Sequence, residues 1–208
     1  MTQNNTPEEL ERLDKRYVWH PFTQMSDWLA EEPLIIAAGQ GSYLEDVRGN
    51  RYLDGVSSLW VNVHGHRHAD IDRAIVEQLS GIAHSTFLGL SNVPAIRLAE
   101  RLVGIAPDNL EKVFYSDSGS TAVEIALKMA FQFRKQSREG RTSKTRFMSF
   151  VNSYHGDTVG AVSVGGIDLF HKMYRPLLFK GVKIKAPYCY RCHLGREYPG
   201  CRMACLAE

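Results

Sequence analysis

The segment from Lys112 to Gln136 constrains the chain more than any other. Lys112-Val113-Phe114-Tyr115 reads as a short buried strand, Ser116-Asp117-Ser118-Gly119-Ser120 breaks it, and Thr121–Gln136 carries the clearest helical pattern in the sequence. Val123, Leu127, Ala130 and Phe131 make the apolar stripe, with Lys128, Arg134 and Lys135 facing water. The first turn of such a helix has free N–H groups at the positive end of the helix dipole. Gly119 lets the backbone approach a ligand, and the Ser118, Ser120 and Thr121 hydroxyls can donate to oxygen atoms, so the turn is able to hold a phosphate. The same residues also make an ordinary Ser/Thr helix cap, and the local sequence leaves both open. The turn is neither a Walker P-loop, since no Lys follows the Gly, nor a G-x-G-x-x-G fingerprint.

Around this segment the pattern alternates. Residues 1–16 read as a loose, partly helical lead-in, and 17–28, with aromatics and a proline, as irregular but ordered. Leu34–Ala38, a Gly-Gln-Gly turn, Tyr43–Asp46, an Arg48-Gly49-Asn50 turn and Arg51–Asp54 make a meander of short strands. Helical spacing follows over His68–Gly81 and Pro94–Val103. Thr145–Val151 is a second strand candidate, Asn152–Thr158 a loop, and Ala161–Val164 a further short strand. Strands alternating with helices predict a mostly parallel α/β domain.

Three other clusters are rich in reactive side chains. Ser153-Tyr154-His155-Gly156-Asp157-Thr158 follows a strand, at the carboxyl end where open α/β sheets bind ligands. Taken alone it reads as a polar turn. His64-Gly65-His66-Arg67-His68 alternates histidines, but no carboxylate or thiolate partner stands nearby, so structural hydrogen bonding is expected rather than metal ligation. All four cysteines lie near one end, as Cys189-x2-Cys192-x8-Cys201-x3-Cys205. The first pair has zinc-knuckle spacing, and four thiolates could close a tetrahedral site. Four reduced thiols, or a redox pair at Cys189 and Cys192, remain the other readings.

Composition narrows the partners. The 208 residues are 44% hydrophobic with a formal net charge of +2, so neither nucleic acid nor an anionic membrane is an expected partner. No apolar run approaches a membrane span. The polar, acidic stretch Met1–Asp14 lacks a signal-peptide layout, and clustered rather than dispersed cysteines do not make a secreted disulfide framework. The expected location is the cytoplasm.

Taken together, several blocks resemble the class III, fold-type I pyridoxal-phosphate (PLP) aminotransferases. They are Trp19-His20-Pro21-Phe22-Thr23-Gln24-Met25, Asp54-Gly55-Val56-Ser57-Ser58-Leu59-Trp60, Asn62-Val63-His64-Gly65-His66, Ala83-His84-Ser85-Thr86, Tyr115–Ser120 with Ala122-Val123-Glu124, and Tyr154-His155-Gly156-Asp157-Thr158. The resemblance runs from about Tyr17 onward. The glycine-serine and Tyr-His-Gly-Asp blocks are shared widely in that family, while the Trp-His-Pro-Phe-Thr-Gln and Ser-Ser-Leu-Trp blocks point to its biotin-pathway branch.

The resemblance implies an α/β fold of the PLP-transferase type I class, present in part. Residues 1–58 would contribute to the small domain, and 59–208 would form an incomplete PLP-binding large domain. It implies PLP as cofactor, with Gly119 and Ser120 on its phosphate, Tyr154 against its ring and the substrate, and Asp157 in support. Phe22, Leu59, Trp60 and Tyr154 would contact substrate. The implied reaction carries an amino group to 8-amino-7-oxononanoate, giving 7,8-diaminononanoate for biotin biosynthesis, from S-adenosylmethionine or lysine. Some members carry Tyr where Phe22 stands and Trp where Leu59 stands, which leaves the donor open. A homodimer with active sites at its interface is implied for the complete enzyme.

In this family a lysine holds the cofactor and an aspartate pairs with its ring nitrogen. Nothing in residues 159–208 matches either motif, and Lys172, Lys180, Lys183 and Lys185 stand in the wrong context. No catalytic residue is therefore expected in this stretch, and the 208 residues alone are expected to be inactive. The alternatives are another class III enzyme acting on omega-amino acids, and a non-catalytic truncated binding protein. A fragment of this kind is also expected to fold poorly, because unpaired strand edges and uncovered apolar faces invite aggregation.

Overall fold

The computed structural model describes residues 5–136 and 144–206, and residues 1–4 of the expected lead-in lie outside them. The chain divides into two compact units, Met1–Ile96 and Arg97–Glu208.

The first unit opens with helix α1, Pro7–Tyr17, where Thr6 accepts from the Glu9 N–H at 3.2 Å and Pro7 stands at the start. Acidic residues sit in its first turn and Lys15 and Arg16 in its last, as the helix dipole favours. The stretch expected to be irregular contains a short helix, α2, Met25–Ala30. The meander follows as an antiparallel sheet of β1 (Ile36–Gln40), β2 (Tyr43–Asp46) and β3 (Arg51–Leu53), in that order. Ladder pairing carries β1 through Gly39 and Gln40, so the first turn falls at Gly41-Ser42 rather than on Gly-Gln-Gly. Asp46 makes the second turn: its Oδ1 accepts the Arg48 and Asn50 N–H groups, both at 2.8 Å, and its Oδ2 accepts from Tyr52 at 2.9 Å.

Next is α3, the single turn Ser57–Trp60, in which all four residues have positive φ, from 47° to 72°. L-residues enter this region singly and at a cost of roughly 1–2 kcal/mol each, so four in succession need an external hold. Helices α4 (Ala69–Gly81) and α5 (Val93–Ile105) agree with the periodicity to within about two residues at their ends.

The second unit holds α6, Gly119–Gln136, which starts two residues before the expected point. Strand β4 (Met148–Phe150) pairs parallel with β5 (Val182–Ile184), in the register Met148 with Val182. Parallel pairing across a helical crossover is the α/β arrangement the alternation predicted. Two strand expectations are corrected. Lys112–Tyr115 joins no ladder among the described residues, because a strand exists only through a hydrogen-bonding neighbour. Ala161–Val164 is helical, within α7 (Val159–Val164). Short apolar runs do not separate buried strand from buried helix, and here a carboxylate from α6 fixes the helical choice by accepting from the first turn. A further turn, α8 (Asp168–His171), lies in the crossover.

Helix α7 is the centre of this unit. Ala161, Val162 and Val164 are the buried apolar side chains of the described chain. Lys183, on β5, donates to the Ser149 hydroxyl at 2.8 Å and to the carbonyls of Ser163 and Gly165, closing the carboxyl end of α7. Burial pushes its ammonium pKa down.

Candidate active site

The amino end of α6 both caps itself and leaves donors open. Ser118 accepts the Thr121 N–H at 3.2 Å, as an N-cap does. The Thr121 hydroxyl donates to Asp117 at 2.8 Å and accepts the Ser118 N–H at 3.0 Å. That bond holds the Asp117 carboxyl below its usual range. Two of the three hydroxyls expected to face a ligand are thus spent on the turn itself. The Gly119 and Ser120 N–H groups have no partner among the described residues, and a Cβ at Gly119 would meet nothing within 4 Å. Open space therefore lies beside two unused donors at the positive end of an 18-residue helix.

The Tyr154–Thr158 loop is brought to this corner. The Asp157 N–H donates to Ser120 Oγ at 3.2 Å, leaving the hydroxyl proton free for another acceptor. Gly156 makes the approach possible: a Cβ there would stand 2.1 Å from Ser120 Oγ, and its φ of +118° suits only glycine. Tyr154 donates to Asp157 Oδ2 at 2.6 Å, and the carboxylate raises the phenol's pKa, so the proton stays on oxygen. Tyr154 is 53% exposed, with its ring uncovered. Gly119, Ser120, Tyr154 and Asp157, picked from two separated motifs, share one corner of the second unit.

Glu124, one turn further along α6, anchors the arrangement, a role that its sequence context does not announce. Its Oε1 accepts the Gly160 N–H at 2.7 Å and the Ala161 N–H at 3.3 Å. The Thr158 hydroxyl, then the Gly160 and Ala161 N–H groups, hold its carboxyl below its usual range. A capping box reads from adjacent residues, but this cap spans 36 positions and has no local signature.

The expected substrate contacts, Phe22, Leu59 and Trp60, belong to the first unit. Their side chains are exposed, and all three have positive φ. Leu59 and Trp60 are held by Asp54, which accepts the Ser58 N–H at 2.8 Å, the Ser58 hydroxyl at 2.9 Å and His66 Nε2 at 2.9 Å. The Ser58 N–H leads the causes that lower its pKa. On the ring's other side, Asn62 Nδ2 lies 2.6 Å from His66 Nδ1. Asp54, braced by His66, thus supplies the hold that the left-handed turn α3 requires. Before Phe22, His20 meets the Asp14 carboxylate at 3.1 Å and stacks on Trp28 at 4.0 Å.

Lys183, saturated by three acceptors, is not placed to carry a cofactor. Among the described residues no three His, Cys, Asp or Glu side chains already converge on a metal position.

A strand-and-helix domain with a phosphate-competent helix end, joined to an aromatic loop by a required glycine, is matched by a family model for class-III aminotransferases over residues 25–202. The chain belongs to the class-III aminotransferase family. More particularly, it is similar to the adenosylmethionine-8-amino-7-oxononanoate aminotransferase of Nitratidesulfovibrio vulgaris, at 60% identity over 96% of this chain and 37% of that one. The crystal structure of the enzyme of that name from Methanocaldococcus jannaschii superposes with a TM-score of 0.80 at 51% identity, over 88% of this chain and 41% of that one. An omega transaminase from Pseudomonas jessenii in complex with PMP gives 0.79 at 31% identity, over 89% and 41%. The chain spans roughly two-fifths of the length of the curated relatives it matches.

Proposed function

We propose that these residues form the cofactor-phosphate side of a PLP-dependent aminotransferase that converts 8-amino-7-oxononanoate to 7,8-diaminononanoate in biotin biosynthesis. The observation that carries this reading is the meeting of Gly119-Ser120 and Gly156-Asp157 at an open helix end. The Gly119 and Ser120 N–H groups and the Ser120 hydroxyl fit a phosphate dianion. They offer donors, a favourable dipole and space. Asp157 fixes Ser120 through its backbone and Tyr154 through its carboxylate, so the phenol ring is oriented to cover one face of the cofactor. Bound PLP supplies an electron sink for the charge left when a proton leaves the donor carbon. The lysine and aspartate of that chemistry are not among the residues assigned here.

Phe22, Leu59 and Trp60 are proposed to line the substrate pocket, with residues 1–58 belonging to a small domain and 59–208 to the large one. Phe22 offers no hydroxyl to a donor. S-adenosylmethionine, in the name shared by the relatives, is the donor proposed first, and lysine second. A cytoplasmic homodimer, without nucleic-acid or membrane partners, completes the reading.

Cofactor selectivity tests it. In the complete enzyme, PLP should bind at least a hundredfold more tightly than pyridoxal, which lacks the phosphate. Ser120→Ala should narrow that gap by about tenfold, the loss of one charge-assisted hydrogen bond. An unchanged gap would place the phosphate elsewhere.

A further inference from the structure

Cys189, Cys192, Cys201 and Cys205 are the chain's only cysteines, and the transamination chemistry uses none of them. They are separated by up to sixteen positions, yet all four line one cavity of about 20 Å³. A space of that size admits a single atom-sized occupant. None of the four is in a disulfide.

Tight turns shape the backbone around them. Cys189 starts a tight turn, Cys189–Arg191, that brings Cys192 round behind it. A second turn closes from the Gly195 N–H to the Cys192 carbonyl at 3.0 Å, with Gly195 at φ +64°. It aims the Arg196 and Leu194 N–H groups at the Cys192 sulfur. On the other arm, Arg202 and Met203 both have positive φ and return the chain so that Cys201 and Cys205 face the same cavity.

We propose that Cys189, Cys192, Cys201 and Cys205 bind one structural Zn²⁺ as a closed tetrathiolate site. Four soft sulfur donors select zinc over hard cations, and four protein ligands leave no position for substrate, so the ion's work is to fix the fold of residues 188–206. Among the described residues the four cysteine side chains do not yet converge on a metal position. Loading draws them inward with loss of the thiol protons, since metal binding and local folding are one equilibrium. The site stands whether or not the transamination reading holds.

The test uses the complete enzyme, purified without chelator. Elemental analysis should return one zinc per chain. Exchange with cobalt should give the intense visible bands of a tetrahedral ion with thiolate-to-metal charge transfer. All four thiols should alkylate at least tenfold more slowly than after chelator treatment. Cys192→Ser should abolish stoichiometric zinc; if that variant does not fold, the wild-type cobalt spectrum and thiol protection decide the question. Metal-free protein whose thiols alkylate equally fast with and without chelator would overturn the proposal. So would a Cys189–Cys192 disulfide in the purified protein, which would mark a redox pair instead.

Discussion

At the scale of single residues, the candidate site depends on one glycine more than on any group that could touch a ligand. A methyl at Gly156 would overlap Ser120 Oγ and force an L-residue into φ +118°. Gly156→Ala should therefore push the Tyr154–Asp157 loop off α6. The expected cost is about 1–3 kcal/mol in stability, with PLP affinity falling at least tenfold in the complete enzyme. Thermal melting and a cofactor fluorescence titration read the two effects. Unchanged PLP binding would show that the loop does not need to meet Ser120. The sequence marked both motifs as candidates, but not that they touch. Thirty-six positions separate Ser120 from Gly156, and only the fold states their distance. The division of labour among hydroxyls was also hidden: Ser118 and Thr121 satisfy the turn, and Ser120 meets the Asp157 N–H.

At the scale of elements, helices were legible and short strands were not. The stripes of α4, α5 and α6 repeat over three turns or more, whereas Ala161–Val164 is too short for any period to show. Its helical state comes from Glu124, a contact made at long range. Glu124→Ala should cost about 1–2 kcal/mol by leaving the first N–H groups of α7 unpaired. Glu124→Gln, which keeps an acceptor, should cost less than half of that. Equal losses in both variants, read by denaturant melts, would mean the charge and not the cap matters. The β2–β3 turn carries a pH signature. Hydrogen bonding, first from the Asn50 side chain, lowers the Asp46 pKa to about 2. A carboxyl whose folded pKa lies below its unfolded value stabilises the fold fully above that unfolded value. The contribution then fades as pH falls from near 4 toward 2. Asp46→Asn should remove this part of the acid dependence of tyrosine near-ultraviolet dichroism; a wild-type acid profile in the variant would contradict the assignment.

At the scale of the molecule, exposure dominates. Side chains such as Phe22, Trp60 and Leu88 are more than 70% exposed. Residues 1–208 expressed alone should accordingly aggregate or bind a hydrophobic dye as a molten species, and a sharp cooperative melt of a soluble monomer would contradict that. The family was legible in the sequence because its blocks gather where backbone geometry is demanding: the left-handed turn at Ser57–Trp60, the cap at Ser118 and the glycine at 156. The state of the covering surface was not legible, since apolar residues look alike whether they face a core or a partner. The proposed transamination of 8-amino-7-oxononanoate is read by product analysis on the complete enzyme supplied with PLP. With S-adenosylmethionine as donor, mass spectrometry should find 7,8-diaminononanoate, at least tenfold more than with omega-amino acid donors. Turnover of omega-amino acids with a keto acid, and no diaminononanoate from either S-adenosylmethionine or lysine, would contradict the account.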